Sequence, residues 1–228
     1  MERIKVIYED NHLLVVIKPP NVLSQADRTG DPYMLTLLKE YVREKYSKPG
    51  RVYLGLVHRL DRPVGGVMVF ARTSKAASRL SAQIREGGFR RQYLAVVQGY
   101  LEEREGSLSG YLRKDRQRNV SQLVEPEAPG AQEARLHFWV VDRKGGRTLL
   151  RLELETGRSH QIRVQMAACG HPLVGDQRYG LPSPGQQIAL WAEYLSFIHP
   201  TTKEVLEFRE APPPVPPWVD FHTALKRR

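Results

Sequence analysis

The run His58-Arg59-Leu60-Asp61-Arg62-Pro63-Val64-Gly65-Gly66 sets an arginine-rich polar turn directly before the apolar stretch Val67-Met68-Val69-Phe70-Ala71. Proline and paired glycines interrupt regular structure, whereas a short apolar run with β-branched members reads as a buried strand. The chain must therefore deliver one carboxylate, Asp61, to the start of such a strand. Flanking positive charge favours the ionised form, and an ionised Asp can serve as a nucleophile or a base. The same nine residues are equally compatible with an ion pair to Arg59 or Arg62 that only ties down a loop.

Around this turn the patterns alternate. His12 to Ile17 is an apolar, β-branched run closed by Lys18-Pro19-Pro20, which suits a buried strand entering a loop. Tyr33 to Tyr46 reads as an amphipathic helix with Leu37, Leu38, Tyr41 and Val42 on one side. Thr73 or Ser74 can cap a helix carrying Ala77, Leu80 and Ile84, which Gly87-Gly88 ends. Tyr93 to Val97 is a further strand. Ala134 to Val141 and Thr148 to Leu154 pair around Lys144-Gly145-Gly146-Arg147. Gly106 to Asn119 and Glu125 to Gly130, rich in turn residues and charge, read as irregular. Ile162, Met166 and Cys169 have helical spacing, with Cys169 expected in the core and Gly170 as the stop. Late strands near Ile188 to Leu195 and Val205 to Phe208 precede a proline-dense tail from Ala211, expected to lie extended on the surface. Strands outnumber helices and adjoin one another, so the expected class is α+β, a mixed and largely antiparallel sheet with helices against it.

Composition narrows the partners. The 228 residues carry 41% hydrophobic side chains, enough for a sizeable core, and Lys plus Arg exceed Asp plus Glu by 35 to 25 for a net charge of +10. Such a surplus favours a polyanion, because neutralised phosphates release counterions. Arg113, Lys114, Arg116 and Arg118, beside Tyr111 and one acid, Asp115, suit phosphate contact with an aromatic for stacking, although a solvated charged loop reads the same way. Lys226-Arg227-Arg228 adds non-specific attraction. A single cysteine excludes an internal disulfide and argues against a thiolate metal cluster. The charged N-terminus fits neither a signal peptide nor a membrane span, so the expected location is the cytoplasm. No P-loop and no internal repeat is visible, which leaves nucleotide-driven chemistry without support.

Three blocks, taken in order, resemble the signature blocks of the RluA-type RNA pseudouridine synthases. They are the His58-Arg59-Leu60-Asp61 turn, Arg91-Gln92-Tyr93-Leu94-Ala95-Val96-Val97-Gln98-Gly99, and Gly157-Arg158-Ser159-His160-Gln161-Ile162-Arg163-Val164-Gln165-Met166 followed by Gly170-His171-Pro172-Leu173-Val174-Gly175-Asp176. The resemblance implies a pseudouridine synthase fold over residues 1–210, a curved sheet in two halves with a central cleft, followed by the tail at 211–228. Many relatives carry a small S4-type RNA-binding domain ahead of the catalytic one. Here the opening strand starts within the first ten or so residues, so RNA is expected to be gripped by the catalytic domain itself.

The chemistry implied by the family isomerises uridine in tRNA or rRNA and needs no cofactor and no metal. It requires a carboxylate near C1′, an aromatic to hold the loosened ring, and a cation to keep the carboxylate placed. The resemblance assigns these roles to Asp61, Tyr93 and Arg163. Arg59 matches the arginine that fills the stack vacated by the flipped nucleotide. Arg62, His58, Arg91, Ile162, Arg113, Lys114 and Arg116 complete the expected substrate-binding set, with His58, His160 and Gln161 read as scaffolding through hydrogen bonds. The protein is expected to act as a monomer on RNA, away from membranes. The chain departs from the family pattern at Val64-Gly65, where relatives carry Thr-Ser, at Arg91, where Lys is usual, and at Gln165, often His. Two other classes compete: a non-catalytic RNA-binding protein or chaperone on the same scaffold, and a glycoside hydrolase using a second carboxylate such as Glu153 or Glu155.

Overall fold

The computed structural model describes residues 4–27, 29–47, 50–181 and 184–226; Arg227 and Arg228 of the basic terminus lie outside the described residues. Among the described residues the class is α+β, with eleven strands in a mostly antiparallel, open sheet and four α-helices. In chain order these are β1 (Lys5–Glu9), β2 (Leu13–Lys18), α1 (Met34–Lys45), β3 (Gly55–Leu56), β4 (Gly65–Ala71), α2 (Ser74–Glu86), β5 (Arg90–Gln98) and β6 (Glu105–Asp115). There follow β7 (Val120–Val124), β8 (Gln132–Lys144), β9 (Arg147–Leu154), α3 (Gln161–Ala168), β10 (Leu190–Ile198), β11 (Val205–Arg209) and α4 (His222–Lys226). Among the described residues no helix is long and apolar enough to cross a membrane. The chain divides into two compact units, residues 1–91 with 192–210 and residues 92–191 with 211–228.

In the first unit β2 pairs antiparallel with β1 and with β4, which sets Ile17 opposite Val67 and Lys18 opposite Gly66. All seven residues of β4 are buried, which explains why its sequence is apolar throughout rather than alternating. Leu13, Val15, Val67, Val69, Phe89, Leu195 and Phe197 form its core with Ala76 and Leu80 of α2. Helix α2 begins where expected, with the Thr73 hydroxyl accepting the Ala76 N–H at 3.1 Å, and it ends on Gly87 in the left-handed region.

The bend into β4 depends on Gly66, whose φ is +126° and where an added Cβ would lie 2.2 Å from the Ala192 carbonyl oxygen. Backbone cannot yield as a flexible side chain can, so Gly66→Ala is expected to cost more than about 2 kcal/mol in denaturant unfolding. A loss within about 0.5 kcal/mol, the range of ordinary surface changes, would show that this crossing relaxes freely.

The second unit pairs β9 with β5 and β8, and β6 with β8 and β7, all antiparallel. Here the structure corrects the sequence reading, because Glu105–Asp115 is one eleven-residue strand rather than an irregular stretch. Gly106 is not a turn residue: a Cβ there would come 2.8 Å from the Phe138 ring, so the strand needs glycine to let that aromatic lie against it. Helix α3 packs Val164 against Leu112 and Ala134, and Gln165 donates to the carbonyls of Leu108 and Ala134. A second correction concerns Cys169, which follows the last turn of α3 and is exposed rather than in the core. The tail is extended only at Ala211-Pro212-Pro213 and bends from Pro214 onward. It then turns at Trp218–Phe221, burying Trp218 and Phe221, while Asp220 takes Arg147 at 3.4 Å.

Candidate active site

The Asp61 turn is built from below by side chains the sequence reading left out. Lys18 ends β2 completely buried, and its ammonium donates to the carbonyl oxygens of Pro19 (3.0 Å), Arg62 (3.0 Å) and Val64 (2.7 Å). The buried Ser24 hydroxyl donates to the Leu60 carbonyl at 2.8 Å and accepts the Leu60 N–H at 3.2 Å. The turn closes with the Val64 N–H on the Asp61 carbonyl at 3.0 Å. Asp61 itself is half-buried at the top of this support. Its neighbours Arg59 and Arg62 are exposed, and Arg62 pairs with Asp31 at 2.7 Å.

Burial pulls the Lys18 amine down to about 7, opposed by the nearby Asp61 charge and assisted by that of Arg62. The same group in an unfolded chain titrates near about 10.5, so between these values the unfolded chain holds more protons and stability rises with pH. Below about 7 the cost of the buried ammonium is fully present. The unfolding free energy of the wild type relative to Lys18→Met is therefore expected to improve by roughly 2 to 3 kcal/mol from about pH 6 to about pH 9. A difference that does not move with pH would mean that Lys18 keeps an ordinary amine.

His58 is buried, accepts the Val69 N–H on Nε2 at 3.1 Å and lies edge-on to Phe89 at 5.3 Å. Burial first, and the Arg91 charge second, push its imidazole down to about 3. A ring so disposed stays neutral and braces β4, with its proton on Nδ1, a buried atom that has no hydrogen-bond partner among the described residues. The first unit thus brings Asp61 and Arg62 to the end of β2, while His58 lies against β4 with the Arg91 charge near it.

The second unit holds the other expected site residues. Tyr93 lies on β5 opposite Leu152 and is 7% exposed. Ile162 and Arg163 are both buried in α3. Arg163 is therefore no surface cation. Its Nε and Nη2 donate to the two carboxylate oxygens of Asp176 at 2.8 and 2.7 Å, and its guanidinium lies 5.1 Å from the Tyr179 ring centre. Burial alone would raise the Asp176 carboxyl, but the Arg163 hydrogen bonds and charge, with the N–H groups of Arg178 and Tyr179, outweigh it and hold the carboxyl below its ordinary range. Gln161 braces the turn before α3 by accepting the Arg158 N–H and the Thr156 hydroxyl and donating to the Arg135 carbonyl. Arg113, Lys114 and Arg116 sit at the end of the β6–β7 hairpin, where Lys114 donates to Asn119 Oδ1 at 2.6 Å and Ser159 Oγ at 2.7 Å.

Lys18, Ser24, Asp176 and Tyr179, which brace the Asp61 turn and Arg163, are absent from the expected site residues. Lys18 carried a usable signal, since Leu14, Val16 and Lys18 share one strand face and a lysine in register with buried residues needs acceptors. Asp176 and Arg163 are 13 positions apart and follow no local period, so their pairing needs the fold.

The RNA pseudouridylate synthase family profile matches residues 12–168, more than half the chain. The uncharacterized RNA pseudouridine synthase YjbO of Bacillus subtilis is 38% identical over 206 residues, which cover 89% of this chain and 70% of that protein. Ribosomal large subunit pseudouridine synthase C of Escherichia coli is 34% identical over 217 residues, covering 91% of this chain and 66% of that protein. Among solved structures, human RNA pseudouridylate synthase domain containing 4 superposes with a TM-score of 0.77 at 20% identity, over 98% of this chain and 92% of that one. The fold is shared with the last, and the extent and identity of the sequence matches carry the assignment: the chain belongs to the RluA-type family of RNA pseudouridine synthases, which are isomerases.

Proposed function

We propose that the protein converts uridine to pseudouridine in structured RNA, ribosomal or transfer, with Asp61 as the reacting carboxylate. The observation that carries this reading is the construction of the Asp61 turn. A fully buried ammonium, a buried hydroxyl and a glycine that admits only hydrogen together set one half-buried carboxylate, in a chain of this family. Such supporting contacts are what a carboxylate needs if it is to meet a sugar carbon at a fixed distance and angle.

In the reaction the bond from N1 to C1′ breaks, the freed uracil turns, and C5 bonds to the same C1′ as the C5 proton leaves and N1 regains one. Atoms and electrons balance within the nucleotide, so no redox partner enters. Asp61 acts at the sugar as nucleophile or base, Tyr93 supplies the aromatic against the loosened ring, and Arg163 is the cation. Arg59, exposed on the turn, fills the space left when the nucleotide is extruded. Arg113, Lys114 and Arg116 hold phosphate. The ribosomal target in the name of the Escherichia coli relative supports an RNA of that class.

Purified protein mixed with bulk RNA carrying C5-tritiated uridine, with no metal or nucleotide added, is expected to release tritium and leave pseudouridine in the digested strand. RNA binding without release would make the chain an RNA chaperone on this scaffold. Release of free uracil would make it a glycosidase, and dependence on a chelatable metal would sink the mechanism.

A further inference from the structure

The second unit contains an arrangement that the roles above leave unused. Asp176 is 1% exposed, and besides its two bonds to Arg163 it accepts the N–H of Arg178 at 2.9 Å and that of Tyr179 at 3.2 Å. The carboxylate that orients Arg163 therefore also folds the loop carrying residues 178 and 179. Tyr179 in turn presents its ring to the Arg163 guanidinium, a cation–π contact at 5.1 Å beside the carboxylate fork.

The hydroxyl of Tyr179 points the other way. Its oxygen accepts the Ser121 N–H at 2.7 Å and lies 2.7 Å from His160 Nδ1. Ser121 belongs to β7, the returning strand of the basic hairpin. Next to it, Arg178 donates to the carbonyls of Arg118 and Asn119 at the hairpin's turn. The strand bearing Lys114 is tied to the start of α3 through Ser159. One short loop thus touches the hairpin through residues 178 and 179 and Arg163 through residues 176 and 179.

We propose that Asp176 and Tyr179 are positioning residues that couple seating of the RNA on the β6–β7 hairpin to the placement of the Arg163 guanidinium. The inference rests on the function proposed above. Phosphate drawn onto Arg113, Lys114 and Arg116 sets the hairpin, the Tyr179 hydroxyl and the Arg178 side chain carry that setting into the loop, and the Asp176 carboxylate turns it into one orientation of Arg163. A buried ion pair adds little net stability over well-packed apolar side chains, so orienting a cation is the better account of a buried carboxylate facing an arginine fork.

The test separates the two arms of the loop. Tyr179→Phe keeps the ring under the guanidinium but cuts the link to Ser121, so seating of the RNA no longer sets Arg163; its kcat on RNA is expected to fall about tenfold with KM within about threefold. Asp176→Asn keeps the shape but removes the charge and one arm of the fork; kcat is expected to fall at least about thirtyfold with KM within about threefold. In an Arg163→Lys background, where no fork exists to be oriented, the same Asp176→Asn change is expected to cost less than about threefold. Costs that simply multiply in that background would overturn the proposal, since they would mark Asp176 as a support of the fold alone. An unchanged kcat for Tyr179→Phe would overturn the coupling. Arginine-labelled nitrogen NMR gives a readout without turnover: the Arg163 Nε–H should be slow to exchange in the wild type and in Tyr179→Phe, and fast in Asp176→Asn. If Asp176→Asn does not fold, Tyr179→Phe still decides on the coupling. If the wild type releases no tritium while the slow Nε–H is present, the proposed reaction has failed and the clamp has not.

Discussion

Asp61→Asn is expected to abolish tritium release, a loss on the order of 10^4 or more, while RNA affinity stays within about threefold. The amide matches the carboxylate in size, so the contact area it presents to RNA is unchanged. What disappears is the charge, and a neutral amide neither attacks C1′ nor accepts a proton there. A second consequence follows from Lys18, whose ammonium is favoured by the Asp61 charge. With that charge gone, burial acts with less opposition and the Lys18 amine should titrate lower still. The variant should therefore keep its three carbonyl contacts to Lys18 only at lower pH. Filter binding and single-turnover release on one labelled RNA check both halves of the expectation. Turnover at even a tenth of the wild-type rate would remove Asp61 from the reaction.

The frame of the first unit is legible in the sequence because its signals are local. A buried strand such as β4 is uniformly apolar, and the Thr73 cap and the Gly87 stop bound α2; in the second unit the Lys144-Gly145-Gly146-Arg147 turn does join two strands, though β8 runs to 13 residues, beyond the expected Ala134 to Val141 at both ends. Strand β6 escapes the sequence because glycine reads as a turn unless the aromatic lying over it is known, and Phe138 follows Gly106 by 32 positions. Cys169 fits the period of α3 yet follows its final turn, where a residue with the right spacing already faces solvent. Within the site the split is similar. Asp61 stands out because a single acid between arginines at a Pro-Gly turn is unusual in itself. The devices that fix it are a lysine that looks like a strand end and a serine 36 positions from Leu60, and both become visible only once β2 and β4 are side by side. Arg163 was legible through the family blocks, but its burial and its carboxylate partner were not, since neither follows from the helix that carries it.

Arg163→Met is the harsher test, because two effects of different origin should separate. Methionine keeps the apolar stem within α3 and removes the guanidinium, which leaves the buried Asp176 carboxylate without its fork and with only the backbone N–H groups of Arg178 and Tyr179. Breaking a buried pair by deleting one partner typically costs about 3 to 5 kcal/mol, so the unfolding free energy should fall by that order. The loss should grow as pH rises through the acid range: the Arg163 hydrogen bond and charge are the largest influences holding Asp176 below its ordinary range, and without them only the Arg178 and Tyr179 N–H groups oppose the burial that penalises the charged form. Turnover should fall by at least about two orders of magnitude on protein shown to be folded, since the cation assigned to the reacting site is gone. Adding Asp176→Asn to Arg163→Met should return much of the stability by removing the stranded charge, and none of the turnover. That divergence is the discriminating result. A double variant that recovers activity along with stability would show that Arg163 serves the fold alone, and a single variant that turns over normally but binds RNA with a flatter salt dependence would make it a phosphate contact.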